Sequence, residues 1–230
     1  MRELVFSAMA CALLSGGGAE AMTYGRIPYQ DGSEAIVARG RIEGNETARL
    51  LAALQSGSGA IPRTLIISSG GGDMMSALDL GQSLRQYGIR TVVGSIAENR
   101  YGQRVLSGGN CHSACVLVLM AGVSRSVLPG SRVGVHSPHV VMVSGGRTYM
   151  LDDATTRYMV QGTQPALRTY ARQMGVSPAV IDAAHRVPHT SIRTLSPSEL
   201  ARYGLVTEGL PRVRSTAPRK RAAAPRRTNG

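Results

Sequence analysis

The sequence predicts an α/β domain built on a mostly parallel sheet. Strand-like and helix-like stretches alternate from residue 34 to residue 122, and such a succession implies parallel strands joined by right-handed crossovers. Thr64-Leu65-Ile66-Ile67 is a continuous run of strand formers, mostly apolar, of the kind buried on both faces of a sheet. That run ends in Ser68-Ser69-Gly70-Gly71-Gly72-Asp73, a glycine turn at the carboxyl end of a strand, where open α/β sheets carry their sites.

Taken in order, residues 34–42 alternate partially and are β-branched enough for a strand. Asn45 opens a run of helix formers through Leu54, stopped by Ser56-Gly57-Ser58-Gly59. The strand at 64–67 follows, then helical spacing from Met74 to Arg85 that ends at Gly88. Thr91-Val92-Val93-Gly94 is a short strand, and a looser stretch leads to Gly108-Gly109. Residues 114–122 are apolar all round, which predicts a buried helix. Val127-Leu128 and Val133-Gly134-Val135 flank Pro129-Gly130-Ser131 as two small strands about a turn. Residues 148–173 read as one helix, and Ser177-Pro178 and Ser196-Pro197 each start a short helix with proline at its first position.

The chain of 230 residues divides into a leader (1–21), one α/β domain (22–210) and a basic tail (211–230). Met1-Arg2, an apolar stretch and Ala19-Glu20-Ala21 have the parts of a secretory signal. The apolar stretch is too short to span a bilayer, so the expectation is a periplasmic or secreted protein. Of the 26 basic residues, seven lie in 211–230 without a single acid, and removing them takes the net charge from +12 to +5. With so few apolar residues the tail is expected to be disordered; it carries charge for contact with an anionic surface but predicts no specific nucleic-acid partner.

Beyond the leader, Cys111 and Cys115 are the only cysteines. They pair, or they pack as two small thiols at a helix start. Pairing requires Cys111 to lie outside the first helical turn, because positions four apart on a regular helix hold their side chains too far apart. No second spaced pair accompanies them, so no metal is expected. No phosphate-binding glycine motif is present, so no nucleotide is expected, and no organic cofactor is implied.

Gly109-Asn110-Cys111-His112-Ser113-Ala114-Cys115 sets a serine at the mouth of the buried helix, and Gly134-Val135-His136 sets a histidine at the end of a strand. A hydroxyl becomes a useful nucleophile when a neutral imidazole takes its proton. Backbone N–H groups of the glycine turn are placed to face a developing oxyanion.

These segments resemble, in the same order, the proteolytic subunit of Clp protease: Ile67 to Gly72, the Ser113-Ala114 pair, Val127 to Pro138, and Leu195 to Val206. The Cys-x-Ser-Ala-Cys form behind a leader is similar to a periplasmic Clp-protease-like group. The resemblance implies the repeated ββα superhelix of the Clp-protease and crotonase superfamily. It also implies Ser113 as nucleophile, His136 as general base, the N–H groups of Gly71 and Ala114 as oxyanion hole, a peptide substrate and a homo-oligomer. In that family the long helix after the histidine mediates stacking of rings, and Tyr149, Met150, Leu151, Tyr158 and Met159 would supply its apolar contacts.

The match departs at two places. Gly70 stands where the family has proline. Ala184 stands where the family has the aspartate that orients the imidazole, and the candidate carboxylate, Asp182, lies two residues earlier, about 200° round a regular helix. His185 and His189 are the other groups within reach of that role. A serine/lysine pair, as in signal peptide peptidases, is excluded because the one lysine, Lys220, lies in the tail. Acyl-CoA hydratases share the fold but place carboxylates in the site, and no such pair falls in the matching loops. The expectation is a serine peptidase-like hydrolase; the alternative is a catalytically silent member whose groove binds peptides or another envelope protein.

Overall fold

A computed structural model describes residues 20–28, 33–57, 60–139, 141–144 and 147–208. The expected tail and the leader up to residue 19 lie outside the described residues. Met22, the first residue after the expected leader, is fully buried and its N–H donates to Arg41 O at 2.9 Å.

The main sheet has five strands in the order β1 (Thr23–Pro28), β2 (Glu34–Arg39), β3 (Thr64–Ser68), β4 (Arg90–Val93) and β8 (Arg125–Val127). Its first pair is antiparallel and the other three are parallel, as the alternation of elements predicts. Helices α1 (Glu46–Gln55), α2 (Met74–Gln86) and α3 (Cys115–Ala121) connect these strands. Every residue of α3 is buried, in keeping with its all-apolar sequence.

Asn45 begins α1 but does not cap it: its backbone is left-handed and its side chain makes no capping bond. Glu46 does that work instead. Only 1% exposed, it accepts from Glu43 N–H at 3.1 Å and Tyr24 O–H at 2.8 Å and pairs with Arg49 at 3.5 Å, so the buried charge is hydrogen-bonded on every side that matters.

A second layer carries three strands in the order β12 (Arg193–Thr194), β9 (Arg132–Val135) and β7 (Asn110–His112). The two strands expected to flank Pro129-Gly130 therefore do not pair with each other. β8 stays in the main sheet and β9 crosses to the second, where it runs parallel to β7. The stretch read as loose contains the antiparallel hairpin β5 (Ser95–Glu98) and β6 (Arg104–Ser107).

The helix expected over 148–173 starts later. Residues 148–150 belong to β11 (Arg147–Met150), paired with β10 (Val141–Ser144). Helix α4 (Asp153–Gln173) is capped by Asp152, whose carboxylate accepts from the N–H groups of Ala154 and Thr155 at 3.0 and 2.9 Å. Pro178 is the cap of α5 (Ala179–His185) rather than its first residue, whereas Ser196 caps α6 (Pro197–Tyr203) in a full capping box with Glu199.

Two arginines join the C-terminal ends of three helices. Arg125, 4% exposed, donates through Nη1 to the carbonyls of Gly122 (2.8 Å), Met120 (3.2 Å) and Met174 (3.2 Å), and through Nε to Gly204 (2.7 Å). Arg85 Nη2 donates to Met174 O at 2.9 Å. Gly122, Met174 and Gly204 are the C-caps of α3, α4 and α6. Unsatisfied carbonyls and the negative ends of helix dipoles thus take the place of a carboxylate partner. Burial and the neighbouring Arg85 guanidinium pull the Arg125 pKa below its ordinary value.

Candidate active site

β7 and α3 meet at Ser113. Ser113 has φ 57, a left-handed backbone rare for a residue with a side chain and costing about 1–2 kcal/mol. The turn is fixed from both sides: Ser113 N–H donates to Gly134 O and Val116 N–H donates to Ser113 O, each at 3.0 Å. A strained serine between a strand and a helix is how hydrolase nucleophiles are presented.

The glycine turn packs directly on it. Ser69 N–H donates to Asn110 O at 2.7 Å and His112 N–H donates to Ser69 O at 3.1 Å, so Ser69 bridges to Cys111 in β7. Gly71 has φ 102, and a Cβ there would lie 2.7 Å from Ser113 Cβ and 3.1 Å from Ala114 N; only glycine permits this approach.

Gly71 N–H donates to Ser69 Oγ at 3.1 Å, so the amide expected as an oxyanion donor is occupied. Gly71 C=O accepts from Ile42 N–H at 2.9 Å. Because a trans peptide points its C=O and N–H in opposite directions, the Gly72 N–H faces away from Ile42. Among the described residues, neither the Gly72 nor the Ala114 N–H donates a hydrogen bond.

His136 follows β9 and is half-buried. Its Nδ1 lies 2.7 Å from Ser137 O; a carbonyl only accepts, so Nδ1–H is the donor and Nε2 is the ring nitrogen left to face a reacting group. Among the described residues no hydrogen bond joins His136 to Ser113, and none joins it to a carboxylate.

Asp182 stands on α5 and faces α4, where its carboxylate accepts from Arg168 and, at 3.0 Å, from Gln164. Those bonds, the Arg168 guanidinium first, hold its pKa below the ordinary carboxylate value. The structure does not bring Asp182 to His136. Nor does another imidazole take the role: His185 Nδ1 bonds Ile181 O at 2.8 Å, and His189 stacks on His139 with ring centroids 4.2 Å apart.

His112 lies opposite Gly134 in the ladder, its ring across the space a Cβ would fill, 2.9 Å from Cδ2. Its Nε2 is buried without a partner. Burial, Arg132 and His136 lower its pKa, so the neutral ring is favoured.

Cys111 and Cys115 form a disulfide with Cα atoms 5.2 Å apart. Cys111 belongs to β7 and only Cys115 to α3, the condition under which residues four apart can pair. Among the described residues no cluster of three metal-ligating side chains occurs, and no helix is long and apolar enough to cross a membrane.

The residue types alone did not disclose Ser69 Oγ and Ser137 C=O as parts of this arrangement. A glycine inside β9 was the available signal for the close approach of His112. A backbone carbonyl that orients a ring leaves no trace in residue type.

No protein-family model and no curated protein matches the sequence. Solved structures do match. A serine-to-alanine mutant of the membrane-bound stomatin-specific protease 1510-N is 15% identical, with 75% of each chain covered and a TM-score of 0.50. A lysine-to-alanine mutant of 1510-N, solved in complex with a substrate peptide, is 16% identical, covers 75% of this chain and 71% of that one, and has a TM-score of 0.51. ClpP1 from Listeria monocytogenes is 17% identical over 75% of this chain and 88% of that one, at a TM-score of 0.48. The chain shares the α/β fold of the 1510-N protease.

Proposed function

We propose that this chain is a serine peptidase-like hydrolase that cleaves short or unfolded peptides through Ser113 and His136. The observation that carries the reading is the left-handed Ser113 at the junction of β7 and α3, packed against the glycine turn at the carboxyl end of β3. In this mechanism His136 Nε2 takes the Ser113 proton as Oγ attacks the peptide carbonyl. The Ala114 and Gly72 N–H groups donate to the oxyanion. The imidazolium then protonates the leaving amine, and water hydrolyses the acyl-enzyme. Ser137 C=O keeps the ring in the required tautomer, the part an aspartate plays elsewhere.

The reading extends to a periplasmic or secreted protein without nucleotide or metal, and to a homo-oligomer. Exposed Tyr149, Tyr158 and Met159 support the assembly; Tyr158 is 80% exposed, more than an aromatic ring of an isolated domain ordinarily is.

In the full-length protein a fluorophosphonate probe is expected to label Ser113, and Ser113→Ala to abolish both labelling and cleavage of an unfolded peptide. Labelling that survives in Ser113→Ala would refute the assignment. The missing Ser113–His136 hydrogen bond favours a second reading, a silent peptide-binding module. Wild-type protein that binds peptides but is never labelled would establish it in place of the first.

A further inference from the structure

The disulfide encloses the serine. Cys111, Ser113 and Cys115 sit in one five-residue segment, with the bond joining the middle residue of β7 to the first residue of α3. Ala114 is already right-handed helical (φ −56, ψ −26), and Val116 and Leu117 already donate to Ser113 and Ala114 carbonyls. One backbone flip at Ser113, from left-handed to right-handed, would add Ser113 to α3, and loss of the β7 bonds to β9 and Ser69 would let the helix run back to residue 111. That alternative relieves the steric cost at Ser113, and it swings the side chain off the Gly71 turn.

A helix that continued back to residue 111 would hold the Cβ atoms of 111 and 115 about 5–6 Å apart, beyond the roughly 3.5–4.5 Å that a disulfide spans. We infer that the Cys111–Cys115 disulfide is a positioning device that holds Ser113 in its left-handed conformation, so that the nucleophile is assembled only when the two thiols have been oxidised. The inference rests on the reading of Ser113 as nucleophile for its functional meaning, but not for its structural content.

The step is a two-electron oxidation. Two thiols lose two protons and two electrons and form the S–S bond, while the disulfide of a thiol–disulfide exchange partner is reduced to a dithiol. An oxidising compartment supplies such partners. Both cysteines are 0% exposed, so once formed the bond is shielded from thiolate attack in the folded protein. The oxidation acts as a single maturation step and not as a reversible switch. A chain whose thiols are still reduced would then carry an unformed site, and peptide cleavage would begin only after oxidation.

The test compares oxidised full-length protein with the Cys111→Ala/Cys115→Ala variant, and with wild type refolded under a phosphine reductant as a second sample. Two quantities are read at a temperature where far-UV circular dichroism shows the sample folded. One is the rate of fluorophosphonate labelling, expected to fall about 100-fold in both thiol-free samples. The other is the Ser113 amide–Hα coupling with its Cα and Cβ shifts, which report the sign of φ; it is expected to change from the left-handed to the helical signature.

A left-handed signature that persists without the disulfide overturns the inference, whatever the labelling does. A changed signature supports it even where no sample is labelled, an outcome that sinks the peptidase reading alone. A chain that folds only when oxidised also overturns it, because the bond would then hold the domain together and not the serine in particular.

Discussion

At its C-terminal end α3 presents its carbonyls to two guanidinium groups, and Arg125 alone donates to four carbonyls of Met120, Gly122, Met174 and Gly204. At its N-terminal end the Ala114 amide donates to nothing among the described residues, and Ser113 is held in a conformation it would not choose alone. The two ends of one seven-residue helix thus differ in whether their polar groups are answered. The answered end fixes α3, α4 and α6 against each other, and the rigidity it gives permits the other end to keep unpaired donors and a strained turn. Polar groups left open are where a fold can still do chemistry.

The comparison is broken most strongly at the open end. Gly71→Ala would drive a Cβ to 2.7 Å from Ser113 Cβ and impose φ 102 on an alanine. Labelling and peptide cleavage should fall by about 10²–10³, with a much smaller change in melting temperature. Loss of global stability as large as the loss of labelling would show that the two ends are not separable.

At the closed end, Arg125→Met removes four donated bonds, leaving the Met120, Gly122 and Met174 carbonyls to Arg85 alone and taking from Gly204 O its bond to Arg125. It should lower stability by about 2–4 kcal/mol, measured by denaturant titration, while the labelling rate of the protein that remains folded at 25 °C stays within twofold.

Asp182 sharpens the contrast as a third region, where a carboxylate is answered by Arg168 and Gln164. Asp182→Asn should lower stability by at most about 1 kcal/mol and leave labelling unchanged. A drop of about 10⁴ in turnover would instead identify Asp182 as the group that orients His136.

The smallest effect concerns acid. The Ser196 backbone N–H and Arg193 hold the Glu199 carboxyl down to about 2, and Asp182 is held below its ordinary value. A carboxyl bound more weakly to protons when folded stabilises the folded state above its unfolded pKa, and that contribution is lost as pH falls. Thermal melts should therefore soften from pH 4.5, the unperturbed Glu199 value, down to about 2. Flat melting temperatures across that window would contradict the assignment.

The parallel sheet was legible because its signals are local. Leu65, Ile66 and Ile67 are all fully buried in β3, and the run of small and apolar residues from Ala114 to Ala121 became a buried helix. Two hairpins were not legible. Glu98-Asn99-Arg100-Tyr101 offers no alternation, and the turn of β5 and β6 depends on Asn99 Oδ1 accepting from the N–H groups of Tyr101 and Gln103. Thr148-Tyr149-Met150 continues the apolar spacing of α4 and reads as helix, although pairing with β10 wins.

At the site, Ser113 and His136 stand out by residue type, and a family resemblance adds the glycine turn. Which amide of that turn is free depends on Ser69 Oγ and Ile42, two contacts set by tertiary packing. The absent aspartate pointed to α5, but α5 turns its only carboxylate to α4.

Two contacts tie the segment after β9 to the segment after α5. His112 lies across Gly134 and His136 follows β9; Ser137 N–H donates to Val187 O at 2.8 Å and His139 stacks on His189, with His185 at the end of α5. These are all five imidazoles of the chain, from positions as far as 77 residues apart in sequence (112 and 189). His139 and His189 are exposed, whereas the Nε2 atoms of His112 and His185 are buried, so an acylating reagent selective for imidazole should mark the stacked pair first, and anything seated on that pair would show as protection without any assay of turnover.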